Sequence, residues 1–190
     1  EANPAIRAAF AQSSIKDWAQ RLPLKKGHSP LSLTPDYEDY LFEMWTYSDY
    51  TDYWKQVGIN ASLYWDVTAD VPMVHQGGWY DSYTRTTAEN YIGLSKIKKG
   101  PIVMIIGPWT HGTTTSDLSY AGEVDFGPQA PIKGNLADSY GDSRLRWFDH
   151  WLKGMDSGFM DTPPVRIFVM GGGDGRRNAE GRMSHGGRWR

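Results

Sequence analysis

Two short apolar runs separated by one amphipathic stretch restrict this chain more than any other feature. They are residues 71–75 in "DVPMVHQGGWYD" and 102–106 in "PIVMIIGPWTHG". The first run ends in Gly77-Gly78 and reads as a buried strand leading into a tight loop. The stretch that follows, "TRTTAENYIGLSKIKK", spaces Thr86 and Glu89 as a capping box and puts apolar residues at Ala88, Tyr91, Ile92 and Leu94, so an amphipathic helix is expected. Strand, helix and strand within about 36 residues make a βαβ unit, which requires parallel strands and a right-handed crossover. The expected fold class is α/β.

In open parallel sheets, sites form beyond the carboxyl ends of the strands. Asp81 follows the first run by six residues and His111 follows the second by five, so both are expected at the same sheet edge. An Asp that holds a His in one tautomer is the orienting half of a nucleophilic triad, and Asp before His is the chain order of α/β-hydrolases. The nucleophile itself is not visible: no G-x-S-x-G occurs. In that fold the serine precedes the acid by several elements, which places it upstream of residue 1. The chain is then expected to be a segment of a longer protein and inactive alone. A start without Met at "EANPAIRAAFAQ" and an end at "SHGGRWR" agree with that expectation.

Composition removes other classes. A net charge of −2 carries no basic excess, so nucleic acid is not an expected partner. The absence of Cys excludes disulfides, thiolate metal sites and a thiol nucleophile. No apolar run has membrane-spanning length, and no membrane partner is expected. Nine Trp and eleven Tyr suit either a wide apolar cleft with polar edges or an aromatic core. Trp79, Tyr80 and Trp109 flank the two polar candidates and are the expected substrate-binding rim. Elsewhere, residues 4–20 carry a helical stripe, and the acidic, aromatic stretch 37–58 reads as two short helices. His150 is expected to be structural, on a helix from Ser143 to Lys153 capped by Asp142 and stopped by Gly154. The loop "GGGDGRR" misses the G-x-G-x-x-G spacing and reads as a hairpin-like turn.

The blocks "VPMVHQGGWYD", "IIGPWTHG", "RLRWFDHWLKG" and "PPVRIFVMGG" resemble, in order and spacing, the second half of the cocaine esterase and Xaa-Pro dipeptidyl-peptidase family of α/β-hydrolases. The resemblance covers roughly residues 35–173. It implies a partial α/β-hydrolase fold with a helical cap segment over 1–65, the C-terminal part of the hydrolase core over 66–160, and the start of a C-terminal β-sandwich (jelly-roll) domain over 161–190. It implies Asp81 as triad acid, His111 as triad base, and cleavage of esters or amides through an acyl-enzyme with no metal or organic cofactor. Its expected partners are a small-molecule ester or amide substrate and the remainder of its own chain, with an oligomer left open. Family members that act on α-amino acid esters carry carboxylates just after the acid. Here Ser82, Tyr83 and Thr84 stand there, which disfavours that branch.

Three alternatives accompany this reading. Xaa-Pro dipeptidyl-peptidase activity lies within the same family. A carbohydrate-binding module would use the aromatic load for stacking, though such modules are usually all-β. A metal hydrolase would need His75, Asp81 and His111 brought together, without any H-x-H or H-E-x-x-H motif.

Overall fold

Proline opens two of the helices of the first sixty residues, at a position where its missing N–H costs no intrahelical bond. These are α1 (Pro4–Gln12) and α3 (Pro35–Thr46), with α2 (Ile15–Ala19) between them. The computed structural model describes residues 3–112 and 114–190, and the chain divides into two units, Glu1–Asn60 and Ala61–Arg190. In the first unit the buried Glu38 of α3 accepts hydrogen bonds from the Ser29 hydroxyl at 2.6 Å and the Gly27 N–H at 2.9 Å. Trp18 stacks on Trp45 with ring centroids 5.8 Å apart. A polar staple and an aromatic stack thus hold helices that expose most of their surface.

The second unit begins with the expected strand, helix and strand: β1 (Met73–Tyr80), α4 (Thr84–Ile97) and β2 (Ile102–Thr110). β1 and β2 are parallel neighbours. Two details differ from the sequence reading. β1 does not end at Gly77-Gly78 but runs through both to Tyr80, because each glycine lies where another group comes close rather than at a turn. The capping box is not made either. α4 starts at Thr84, its Thr87 hydroxyl donates to the Tyr83 carbonyl, and Glu89 pairs with Arg85 one turn back at 2.6 Å.

The chain continues through the two-residue strands β3 (Tyr120–Ala121) and β4 (Val124–Asp125), helix α5 (Tyr140–Lys153), and strands β5 (Val165–Met170), β6 (Met183–Ser184) and β7 (Gly187–Trp189). The main sheet has the order β1-β2-β5-β7 and is mixed, with β5 parallel to β2 and β7 antiparallel to β5. β5, the strand expected near Val165, is thus hydrogen-bonded into the same sheet as the βαβ unit. A small second sheet has the order β3-β4-β6. Between β5 and β7 the glycine-rich loop returns on itself: Gly171 and Gly173 N–H donate to the Gly186 and His185 carbonyls, each at 3.0 Å. α5 is capped by the Ser139 hydroxyl, not by Asp142, whose carboxylate instead pairs with Arg146 at 2.9 Å. His150 lies on this helix, with Nδ1 3.2 Å from the Met155 carbonyl.

Alternation along the strands divides the core. Val103, Ile105 and Trp109 pack with Trp147 of α5 and with Phe159. The opposite sheet face carries Ile102, Met104 and Ile106 toward α4, whose Leu94 is buried. Each fully buried aliphatic side chain contributes about 1.5–3 kcal/mol. β2 is buried along almost its whole length, and it is therefore the rigid rail on which the site sits. No described helix is long and apolar enough to cross a membrane.

Candidate active site

The register of β1 and β2 changes just before their ends. Partners are 29 positions apart from Met73/Ile102 to Gly78/Gly107 and 30 apart at Tyr80/Thr110. The extra residue on β2 is a β-bulge, a device that re-aims side chains at strand ends. It brings residue 81 level with residue 111. At the bulge the Trp109 carbonyl lies against Gly78: a Cβ at 78 would lie 2.1 Å from that oxygen.

Each candidate is then held by its own loop. The Asp81 N–H donates to the Gly78 carbonyl at 3.1 Å, and Oδ1 accepts the Tyr83 N–H at 2.8 Å, an Asx turn. After His111 the chain turns through Gly112, whose φ of +126° suits glycine. The Thr115 hydroxyl lies 2.7 Å from the carbonyls of both Thr110 and Gly112 and ties that loop down.

His111 Nδ1 lies 3.1 Å from Asp81 Oδ2 and 3.3 Å from Oδ1. The Asp81 side chain is 11% exposed and that of His111 68%, so the acid is sheltered and the imidazole faces outward. A carboxylate at Nδ1 favours the tautomer with its proton there and leaves Nε2 as an acceptor. Among the described residues Nε2 has no hydrogen-bond partner. The Tyr83 ring packs beside the imidazole at 5.3 Å. The pair borders a cavity of about 200 Å³ whose wall includes Gln76, Gly78, Thr110 and Tyr140.

The three aromatics expected at the rim are distributed differently. Trp109 borders the cavity but is 2% exposed, and its indole N–H donates to the Ala130 carbonyl at 3.1 Å, so its ring belongs to the core. The Trp79 indole N–H donates to the Phe168 carbonyl at 2.7 Å. Tyr80 packs near Phe126 and places its hydroxyl 3.7 Å from Met170 Sδ. Neither of these two lines the cavity. The sequence reading did not single out Thr115 or Tyr140, and no motif marks them. Tyr83 and Thr84 were legible only as the residues that follow the acid.

His75 lines a neighbouring cavity of about 580 Å³ with Val74, Arg144, Trp147 and Phe148, apart from the Asp81–His111 pair. Burial lowers its pKa and favours the neutral ring, and its Nε2 is buried without a partner among the described residues. Among the described residues no three His, Asp or Glu side chains gather as metal ligands.

A family model described as X-Pro dipeptidyl-peptidase (S15 family) matches residues 3–113, a span that includes both Asp81 and His111. Two curated proteins provisionally named serine esterases, one from Mycobacterium bovis and one from Mycobacterium tuberculosis, are each 28% identical over 117 residues. The matched region covers 59% of this chain and 16% of each relative, so the chain corresponds to a small part of their length.

Proposed function

The chain belongs to the X-Pro dipeptidyl-peptidase (S15) family, and from that premise we propose that it supplies the acid and base of a serine hydrolase that cleaves carboxylic ester or amide bonds through an acyl-enzyme. The observation that carries this reading is the placement of the Asp81 carboxylate on Nδ1 of an imidazole whose other nitrogen has no partner among the described residues. The serine esterase names of the two relatives favour an ester substrate. In this reading residues 1–65 belong to a helical cap, 66–160 to the hydrolase core, and 161–190 lead into a β-sandwich domain. The helices of the first unit support the first assignment; for the last, the antiparallel pairing of β7 is the supporting feature, while β5 is itself hydrogen-bonded to β2 in the core sheet.

The chemistry follows from the pair. His111 Nε2 takes the proton of a serine hydroxyl, contributed by another part of the longer protein, as the serine oxygen bonds to the substrate carbonyl carbon. Asp81 stabilises the imidazolium and holds its orientation. The tetrahedral adduct collapses, the bond to the leaving group breaks, and the Nε2 proton passes to the departing alcohol or amine. Water repeats both steps on the acyl-enzyme, releasing the acid and restoring the serine.

A fluorophosphonate probe tests this on the longer natural protein. One serine outside these 190 residues is expected to be labelled, with loss of ester turnover. Label on a serine within the chain would overturn the division of labour. A protein that resists the probe and loses activity to a zinc chelator would overturn the serine mechanism. Comparison of p-nitrophenyl esters with Xaa-Pro p-nitroanilides then separates esterase from dipeptidyl-peptidase.

A further inference from the structure

Thr84 stands at the first position of α4, and its neighbour Tyr83 offers the helix no side-chain cap. The Thr84 hydroxyl turns back over the preceding loop. It lies within hydrogen-bond reach of the Gly78 carbonyl and 2.7 Å from the Asp81 carbonyl, while the Thr84 N–H donates to the Asp81 carbonyl at 3.3 Å. A threonine hydroxyl has one proton, so the two carbonyls share it. The Asp81 N–H also donates to the Gly78 carbonyl. Three donors from residues 81 and 84 thus converge on two carbonyls, and the loop closes on itself.

We infer that Thr84 is a positioning residue for Asp81. Its hydroxyl locks the backbone of the acid so that Oδ1 receives the Tyr83 N–H and Oδ2 faces His111 Nδ1. Gly78 anchors the other end, since its backbone is pinned beside the Trp109 carbonyl at the bulge. Thr84 is part-buried and is not among the residues that line the cavity, so it acts through Asp81 rather than on substrate. The inference rests on Asp81 being the catalytic acid. A small displacement of a catalytic group lowers turnover steeply, so loss of the hydroxyl is expected to cost about 10- to 100-fold.

The experiment is a double-mutant cycle in the longer natural protein with a p-nitrophenyl ester as substrate. Thr84→Val is expected to lower kcat by that factor with KM unchanged, and Thr84→Ser to restore most of it. In the Asp81→Asn background, Thr84→Val is expected to cause no further loss. The same factor lost in that background would reduce Thr84 to a general structural role and overturn the inference. Full kcat in Thr84→Val beside a crippled Asp81→Asn would overturn it while leaving the acid in place. Normal turnover in Asp81→Asn would remove the acid assignment and this inference together. If Thr84→Val does not fold, Thr84→Ala is read with nitrogen NMR of the His111 ring: the share of the Nδ1-protonated tautomer is expected to fall, and an unchanged share overturns the inference.

Discussion

The carbonyl oxygen of Trp109 occupies the place a side chain on Gly78 would need, 2.1 Å from the position of a Cβ. Backbone cannot move aside as the tip of a long side chain can. Gly78→Ala is therefore expected to force the ends of β1 and β2 apart, at about 1–3 kcal/mol of stability. Because the bulge aligns Asp81 with His111, turnover should fall further than stability alone explains. Thermal melts and esterase assays on the same samples of the longer natural protein check both. Gly58→Ala, where a Cβ would meet nothing within 4 Å, is the control, expected within about 0.5 kcal/mol of the parent.

His111→Ala in the longer natural protein is expected to reduce ester turnover by several orders of magnitude, and Asp81→Asn by on the order of 10⁴, as in serine proteases. An Asn at 81 leaves the loop intact but favours the wrong imidazole tautomer. Both variants should fold normally by circular dichroism. Near-normal turnover by a folded Asp81→Asn would point to another acid.

Arg166 lies buried on β5, with its guanidinium 5.1 Å from the centroid of the Phe159 ring. Nε and Nη2 are buried with no hydrogen-bond partner among the described residues, and burial pushes the guanidinium pKa down. A buried guanidinium with two unpaired nitrogens is costly, so Arg166→Met, which keeps length and contact with Phe159, should stabilise the chain by about 1–4 kcal/mol. A raised Tm in differential scanning calorimetry is the expected result. A lowered Tm would mean that the guanidinium contributes more than its burial costs.

In the first unit, the Ser29 hydroxyl chiefly holds the Glu38 pKa below its ordinary 4.5, helped by the N–H groups of Gly27 and Ser29 and the charge of Lys26, with burial opposing. The depressed value means that folding favours the carboxylate. Its contribution is complete above pH 4.5 and is lost as pH falls through the lower folded value. Amide exchange at Gly27 should therefore accelerate, relative to its intrinsic rate, as the solution is acidified through that range. Glu38→Gln should abolish this pH dependence. If exchange at Gly27 follows the intrinsic rate throughout, the carboxylate is not what orders the loop.

The βαβ unit was legible because its signals are local. Five consecutive apolar residues at 102–106 have few uses other than a buried strand, and the helical stripe between the runs is read along one segment. The proximity of Asp81 and His111 followed from the topology of parallel strands. Distant backbone contacts were not legible. Gly77-Gly78 reads as a turn in isolation, and only the Thr87 side chain and the Trp109 carbonyl explain why glycines continue the strand. The indoles of Trp79 and Trp109 needed acceptors, but nothing in the sequence assigned them to the Phe168 and Ala130 carbonyls. The bond that caps α5 comes from Ser139, one residue before the helix and three before Asp142, because capping depends on backbone conformation as well as residue type.

The register step at the end of β1 and β2 divides the chain between Asp81 and His111 into a stretch whose length is free and one whose length is counted. Residues added at Lys98–Gly100 lengthen the connection between α4 and β2 and sacrifice the grip of Asp70 on the N–H groups of Lys99 and Gly100 and that of the Lys98 ammonium on the Asp66 and Thr68 carbonyls. The strands keep their alignment. From Gly107 to His111 each residue is a step on a ruler. Adding one after Thr110 leaves the Tyr80/Thr110 pairing in place and carries the imidazole one residue past the level of Asp81, to the other face of the sheet and away from its carboxylate. Length variation among natural variants and engineered insertions should therefore collect after α4 and stay out of the "GPWTH" segment.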